Sequence, residues 1–254
     1  MIKYKKIGTG KPLLFIPGWG MNSNIFLPLI DCMDKHKHEC ILIDLPGVGL
    51  NSDISNISSD LILEIIQKNK LEEFDILGWS LGGQVAVKIL NQIELSKQNK
   101  IFLVSSTPKF TNNQNWQSGL DENIFIKFSQ ELSKSPEKTI RKFITLQTYK
   151  SEHSKEIIEN IIINIVDKKL NIEALNKHLK MMIADDLREM FEILSRCKTF
   201  LIAGRNDYIV PIASQYFMLE QYTIVKSLII DKAGHIPFLS HTELCKSFIE
   251  NTYE

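Results

Sequence analysis

Apolar residues in this chain fall into two rhythms. Short stretches at 11–16, 40–44, 74–77, 101–105, 199–204 and 226–230 are mostly apolar and close on glycine, proline or a polar residue. Stretches of that length without a clear polar face fit strands buried on both sides, as in a parallel sheet. Elsewhere the apolar residues return every three or four positions. That spacing predicts helices over 25–33, 58–68, 81–93, 212–220 and 242–253. In the second of these Leu61, Ile62, Ile65 and Ile66 share one face, behind Ser58 or Ser59 as N-cap. Strands alternating with helices imply right-handed crossovers and a mostly parallel sheet flanked by helices, an α/β fold.

The alternation stops after residue 106. From 107 to 196 no strand pattern appears, only helical spacing over 121–133, 136–148, 152–167, 172–183 and 186–194. The expected organisation is a core of 1–106 and 197–254 carrying a helical lid, 107–196, inserted late in the sheet, with its last helix rejoining the core. A chain of 254 residues is long enough for one such domain and its insertion.

Composition narrows the class. Hydrophobic residues make up 44% and charged residues 24%, and Lys+Arg and Asp+Glu both number 30, so the formal net charge is zero. That balance argues against nucleic acid or an anionic membrane as the main partner. Cys32, Cys40, Cys197 and Cys245 lie far apart without C-x-x-C spacing, so reduced thiols are expected rather than zinc ligands or a disulfide framework. Met1 to Lys6 lead into Gly8-Thr9-Gly10 without an apolar segment, and no apolar run approaches the ~18 residues that span a bilayer. The expectation is a cytoplasmic monomer with no signal peptide.

Candidate chemistry concentrates at Gly78-Trp79-Ser80-Leu81-Gly82, which reads G-x-S-x-G. In such an elbow a strand turns abruptly into a helix with the serine at its tip, and glycines fit on either side because a Cβ would clash there. A glycine-rich turn without chemistry gives the same five residues, so the wider context decides. A serine hydroxyl needs a base, and the base needs an acid to orient it. Open α/β sheets place such groups just after strands. Asp207 follows the stretch at 199–204, and His235 follows the one at 226–230, giving the chain order Ser80, Asp207, His235. Asp231 is the alternative acid. His36, His38, His153, His178 and His241 place less well: the first two in a charged loop before a strand, the next two in the insertion, the last at a helix start. The backbone N–H groups of Leu81 and of Trp19, in Gly18-Trp19-Gly20, are the candidate oxyanion donors, with the Trp19 indole as pocket wall.

The order Pro17-Gly18-Trp19-Gly20, Asp44-Leu45-Pro46-Gly47-Val48-Gly49, Gly78-Trp79-Ser80-Leu81-Gly82-Gly83, Asp207 with Val210-Pro211, and Gly234-His235 resembles the α/β-hydrolase superfamily over the whole chain. Within it the chain is most similar to the pimeloyl-[acyl-carrier protein] methyl ester esterases of biotin synthesis, through Gly18-Trp19-Gly20, the elbow, Phe143-Ile144-Thr145-Leu146-Gln147-Thr148, and the stretch from His235 to His241. The resemblance implies a serine carboxylesterase that needs neither cofactor nor metal. Trp19, Ser80, Leu81, Phe143, Ile144, Thr145, Leu146, Gln147 and His235 would line its substrate site. It also implies that Lys138, Lys142 and Lys155 resemble positions that dock an acyl-carrier protein. Pro17 departs from the histidine of many relatives, and Glu159 is acidic where a basic residue would be expected. From spacing alone, Lys138, Arg141 and Lys142 share one helix face, which suits either an acidic carrier or plain solvation. Rival activities on the same frame are a small-ester esterase, a thioesterase, a carbon–carbon hydrolase and a lyase. A non-catalytic small-molecule receptor is the rival from another class.

Overall fold

The computed structural model describes residues 2–164 and 170–253, with the side chains of Ile163 and Asn164 left aside. Strands β1 (Tyr4–Ile7), β2 (Lys11–Ile16) and β3 (His38–Ile43) open the chain, with helix α1 (Leu27–Cys32) before β3. Helix α2 (Asp60–Lys68), β4 (Asp75–Trp79), α3 (Leu81–Leu90) and β5 (Lys100–Val104) follow. Four helices then come in succession: α4 (Glu122–Lys134), α5 (Pro136–Gln147), α6 (Ser154–Asn164) and α7 (Ile172–Ala184). A 3₁₀ stretch at Met190–Arg196 leads into β6 (Lys198–Gly204), α8 (Ile212–Gln221), β7 (Lys226–Ile230), α9 (Pro237–Ser240) and α10 (Thr242–Glu250).

These strands form one seven-stranded sheet in the order β1-β3-β2-β4-β5-β6-β7, parallel except for β1 against β3. The central strands β2, β4 and β5 bury Leu13 to Ile16, Ile76 to Trp79 and Ile101 to Val104, which is why their sequences lack a polar face. The chain runs from β2 outward to β3 and then returns to place β4 on the other side of β2. The reversal opens a crevice at the carboxyl ends of β2 and β4, where such sheets place ligands. Register aligns those ends, with Ile16 opposite Gly78, Trp79 opposite Val104 and Gly204 opposite Ile230.

Several expectations needed adjustment. The polar stretch at 4–7 is a strand, an edge whose Lys5 and Lys6 face solvent. His38 is not in a charged loop: it opens β3, is buried edge-to-face against Tyr253 at 4.6 Å, and leaves both ring nitrogens without a hydrogen-bond partner. Neither serine caps α2 as drawn. Ser59 makes no side-chain cap, and Ser58 Oγ accepts from Asp60 N at 3.2 Å, one residue early. The helix expected over 186–194 is a 3₁₀ stretch that starts later, at Met190, while Asp186 before it pairs with Lys109 and Arg188. The helix expected over 152–167 is seen from Ser154 to Asn164, and its last expected residues lie outside the described ones. Among the described residues no helix is long and apolar enough to cross a membrane, and no three or more His, Cys, Asp or Glu residues are grouped so as to hold a metal ion.

Helix α7 carries a buried imidazole. His178 is 2% exposed, and burial alone pulls its pKa from the usual 6.5 down to about 4. The unfolded chain takes up this proton near pH 6.5, whereas the folded chain refuses it until about pH 4. Stability from His178 is therefore complete above 6.5 and is lost as pH falls toward 4. Urea unfolding at pH 7.5 and pH 5 is expected to show wild type losing about 2 kcal/mol more than His178→Met over that interval. Equal losses in the two proteins would contradict the assignment.

Candidate active site

The turn from β4 into α3 holds Ser80 at φ 55° and ψ −120°. A positive φ on a non-glycine residue costs on the order of 1–3 kcal/mol and persists only where its surroundings impose it. Here Ser80 N donates to Val104 O at 2.9 Å, and Ser80 O accepts from Ser106 Oγ at 2.8 Å. The flanking glycines have different reasons. A Cβ on Gly78 would lie 2.6 Å from Gly82 O, within the elbow itself. A Cβ on Gly82 would instead strike the Ile16 carbonyl and stand 2.7 Å from Pro17 O, so Gly82 lets α3 press against the end of β2.

That approach brings the 17–20 loop beside the serine. A Cβ on Gly18 would come 3.1 Å from Ser80 Cβ, which places the Gly18–Trp19 peptide next to the reacting position. Leu81 is the first residue of α3, and an N–H in a first helical turn has no acceptor within the helix. The Trp19 indole is fixed: its Nε1 donates to Leu175 O at 2.9 Å, and its ring meets Phe128 and Phe143 edge-on at 5.1 and 5.2 Å. It is thus a wall joining the sheet to α4, α5 and α7.

Asp207 and His235 meet at the ends of β6 and β7. Asp207 Oδ2 lies 2.7 Å from His235 Nδ1, both side chains being almost fully buried. The other oxygen, Oδ1, accepts from the amides of Ile209 and Val210 at 2.8 Å each, which fixes the carboxylate's direction. An ionised carboxylate only accepts, so Nδ1 carries the proton and Nε2 presents a lone pair. Nε2 is buried without a hydrogen-bond partner. The His235 backbone is clamped from both sides, its N–H donating to Gln147 O and its carbonyl accepting from Trp79 Nε1, each at 2.8 Å. The indole ring also packs on the imidazole, with centroids 5.4 Å apart. The Trp79 link ties the histidine to the strand that presents Ser80.

The alternative acid is elsewhere. Asp231 is exposed and paired with Arg205 Nε at 2.5 Å. Asp44 is buried but occupied, accepting from Ser23 N at 2.6 Å and Leu50 N at 2.8 Å as a clasp between loops. His241 contacts Ser240 and Glu152, and His153 contacts Glu156.

The stretch 143–147 divides by helical period. Phe143 is half-buried against Trp19, and Ile144 and Gln147 are buried. Thr145 and Leu146 lie on the exposed side of α5, together with Lys138, Arg141 and Lys142. Lys142 pairs with Glu131 at 3.0 Å, and Lys155 is exposed on α6. Three contacts had no signature in the sequence: Ser106 Oγ to Ser80 O, Trp79 Nε1 to His235 O, and Gln147 O to His235 N.

A serine in a strained strand-to-helix turn, set at the switch point of a largely parallel sheet with a buried His–Asp pair on the loops after β6 and β7, is the frame of an α/β hydrolase. The chain belongs to that family, whose model, described as the alpha/beta hydrolase fold, matches residues 11–242. It is 32% identical over 245 residues to the pimeloyl-[acyl-carrier protein] methyl ester esterase of Legionella pneumophila (strain Corby), covering 96% of this chain and 95% of that one. It is also 32% identical to the protein of the same name from Pseudoalteromonas atlantica, over 99% of this chain and 98% of the relative. Among solved structures, the fold is shared with an esterase from Exiguobacterium antarcticum at a TM-score of 0.88 and 20% identity, covering 99% of this chain and 94% of that one.

Proposed function

We propose that this chain is a serine carboxylesterase that hydrolyses the methyl ester of a pimeloyl group carried on an acyl-carrier protein, releasing methanol, as a step of biotin synthesis. The reaction class rests on one observation above others: the buried Asp207–His235 pair leaves Nε2 unpartnered as a base on loops that converge on Ser80. The substrate rests on the names of relatives about one-third identical over nearly the whole chain. Ser80 Oγ attacks the ester carbonyl while His235 Nε2 takes its proton. Asp207 steadies the imidazolium. The oxyanion is held by the N–H groups of Leu81 and Trp19, the alkoxide leaves with the proton from His235, and water then releases the acid from Ser80 by the same route. The helical segment between β5 and β6 acts as the lid, with Trp19, Phe143, Ile144 and Gln147 beside the acyl chain.

Profiling across pimeloyl methyl esters, carrier-linked and free, beside simple p-nitrophenyl esters tests this reading. The expected preference is for the carrier-linked ester. A kcat/KM no higher for it than for the small esters would favour a general small-ester esterase, a reading that Glu131 against Lys142 and the exposed Glu159 also support.

In this reading Lys138, Arg141, Lys142 and Lys155 attract an acidic carrier. Exposed charges act mainly on encounter and are screened over ~8–10 Å. Lys138→Glu with Lys142→Glu is expected to raise KM for the carrier-linked ester roughly tenfold and to flatten its salt dependence. An equal effect on a small neutral ester, or no effect on either, would contradict a docking role.

A further inference from the structure

Where α5 ends, the chain makes a turn that is stitched to both loops of the buried pair. Gln147 O accepts from His235 N at 2.8 Å, Lys150 O accepts from Asn206 Nδ2 at 3.0 Å, and Glu152 N donates to Lys232 O at 3.0 Å. Lys150 sits in the left-handed region at φ 57°, where a glycine would cost less. Its Nζ stands 5.5 Å from the ring centres of both Tyr149 and Tyr208, which meet edge-on at 4.9 Å. Tyr149 and Tyr208 are 49% and 40% exposed, and Leu146, one turn back, is 39% exposed. Among the described residues no carboxylate pairs with Lys150, whereas nearby Arg205 and Lys232 are paired with Asp231 and Glu152.

Large apolar groups grouped in the open around a cation without a carboxylate offer a surface on which a ligand can dock. The charge defines what that is. A carboxylate-free lysine beside two exposed tyrosine rings suits an oxyanion that is joined to an apolar, flexible chain. Tyr208 adjoins Asp207 in sequence, so the patch borders the candidate catalytic residues rather than a remote face. It also continues the exposed side of α5, on which Lys138, Arg141 and Lys142 lie.

We propose that Lys150, Tyr149 and Tyr208 form an anion subsite for the phosphodiester at the base of the carrier's prosthetic arm, with Leu146 beside the arm as it enters. The inference rests on the carrier-linked reading above and adds a position to it. The carrier's acidic surface meets α5, and its arm turns inward over the tyrosines. Lys150 then acts on arm-bearing substrates whether or not the carrier protein itself is attached.

Pimeloyl methyl ester linked as a thioester to phosphopantetheine and to dephosphorylated pantetheine provides the test, with methanol release as the readout and no carrier protein present. Wild type is expected to favour the phosphorylated arm about fivefold in kcat/KM, the size of one partly exposed charge-assisted contact. In Lys150→Gln that ratio should fall to about one, and in Lys150→Arg it should recover, which a merely structural role of the turn would not produce. Equal turnover of the two thioesters by wild type, or a ratio kept in Lys150→Gln, overturns the subsite and leaves the esterase reading standing. Hydrolysis of p-nitrophenyl esters with turnover of neither thioester overturns both.

Discussion

Ser80→Ala is expected to lower kcat for ester hydrolysis by about 10⁶-fold, the scale on which removal of a nucleophile acts when triad residues work as a unit. Without Oγ no acyl-enzyme forms, and the oxyanion amides and substrate binding remain as the only assistance to direct attack by water. The fold should be unaffected. Alanine keeps the Cβ that already tolerates φ 55°, and Ser80 is held through its backbone by Val104 and Ser106. Steady-state rates and a thermal melt on the same preparation check both halves of the expectation. A variant that hydrolyses ester at the wild-type rate would remove Ser80 from the chemistry.

Asp207→Asn should cost about 10⁴-fold in kcat, as the equivalent change does in a serine protease. The loss follows from the proton inventory. Asparagine can still accept from the Ile209 and Val210 amides through its oxygen, so the loop survives. Its amide nitrogen, however, donates toward His235 Nδ1, where the carboxylate accepted. The imidazole must then carry its proton on Nε2 and can no longer take one from Ser80. Asp231→Asn, on an exposed pair with Arg205, should change kcat less than about threefold. Rate measurements that reversed this ranking would transfer the orienting role to Asp231.

Much of this site was legible because its parts follow strands. Ser80, Asp207 and His235 each come directly after an apolar stretch, and a parallel sheet brings such positions to one edge whatever their separation along the chain. The inner strands were legible for the same reason, being apolar throughout. β1 was not. Its two apolar residues, Tyr4 and Ile7, are three positions apart and point to opposite faces, so no alternation shows, and the strand takes its order from pairing with β3. α9 is one short turn in an apolar stretch, too brief to show a period. The resemblance gave 143–147 as one block, whereas α5 turns Thr145 and Leu146 outward because side chains on a helix change face within two residues. Least legible were the braces on His235. Gln147 offers only a backbone carbonyl, which any residue could supply, and the Trp79 indole reaches a residue 156 positions away.

The central claim is that Ser80 is the nucleophile of an ester hydrolase, and covalent labelling tests it most directly. Treating the protein with a fluorophosphonate and mapping the modified peptide is expected to give one equivalent of adduct, on Ser80, with esterase activity lost in proportion. An adduct on another residue, or full inhibition with Ser80 unmodified, would contradict the account.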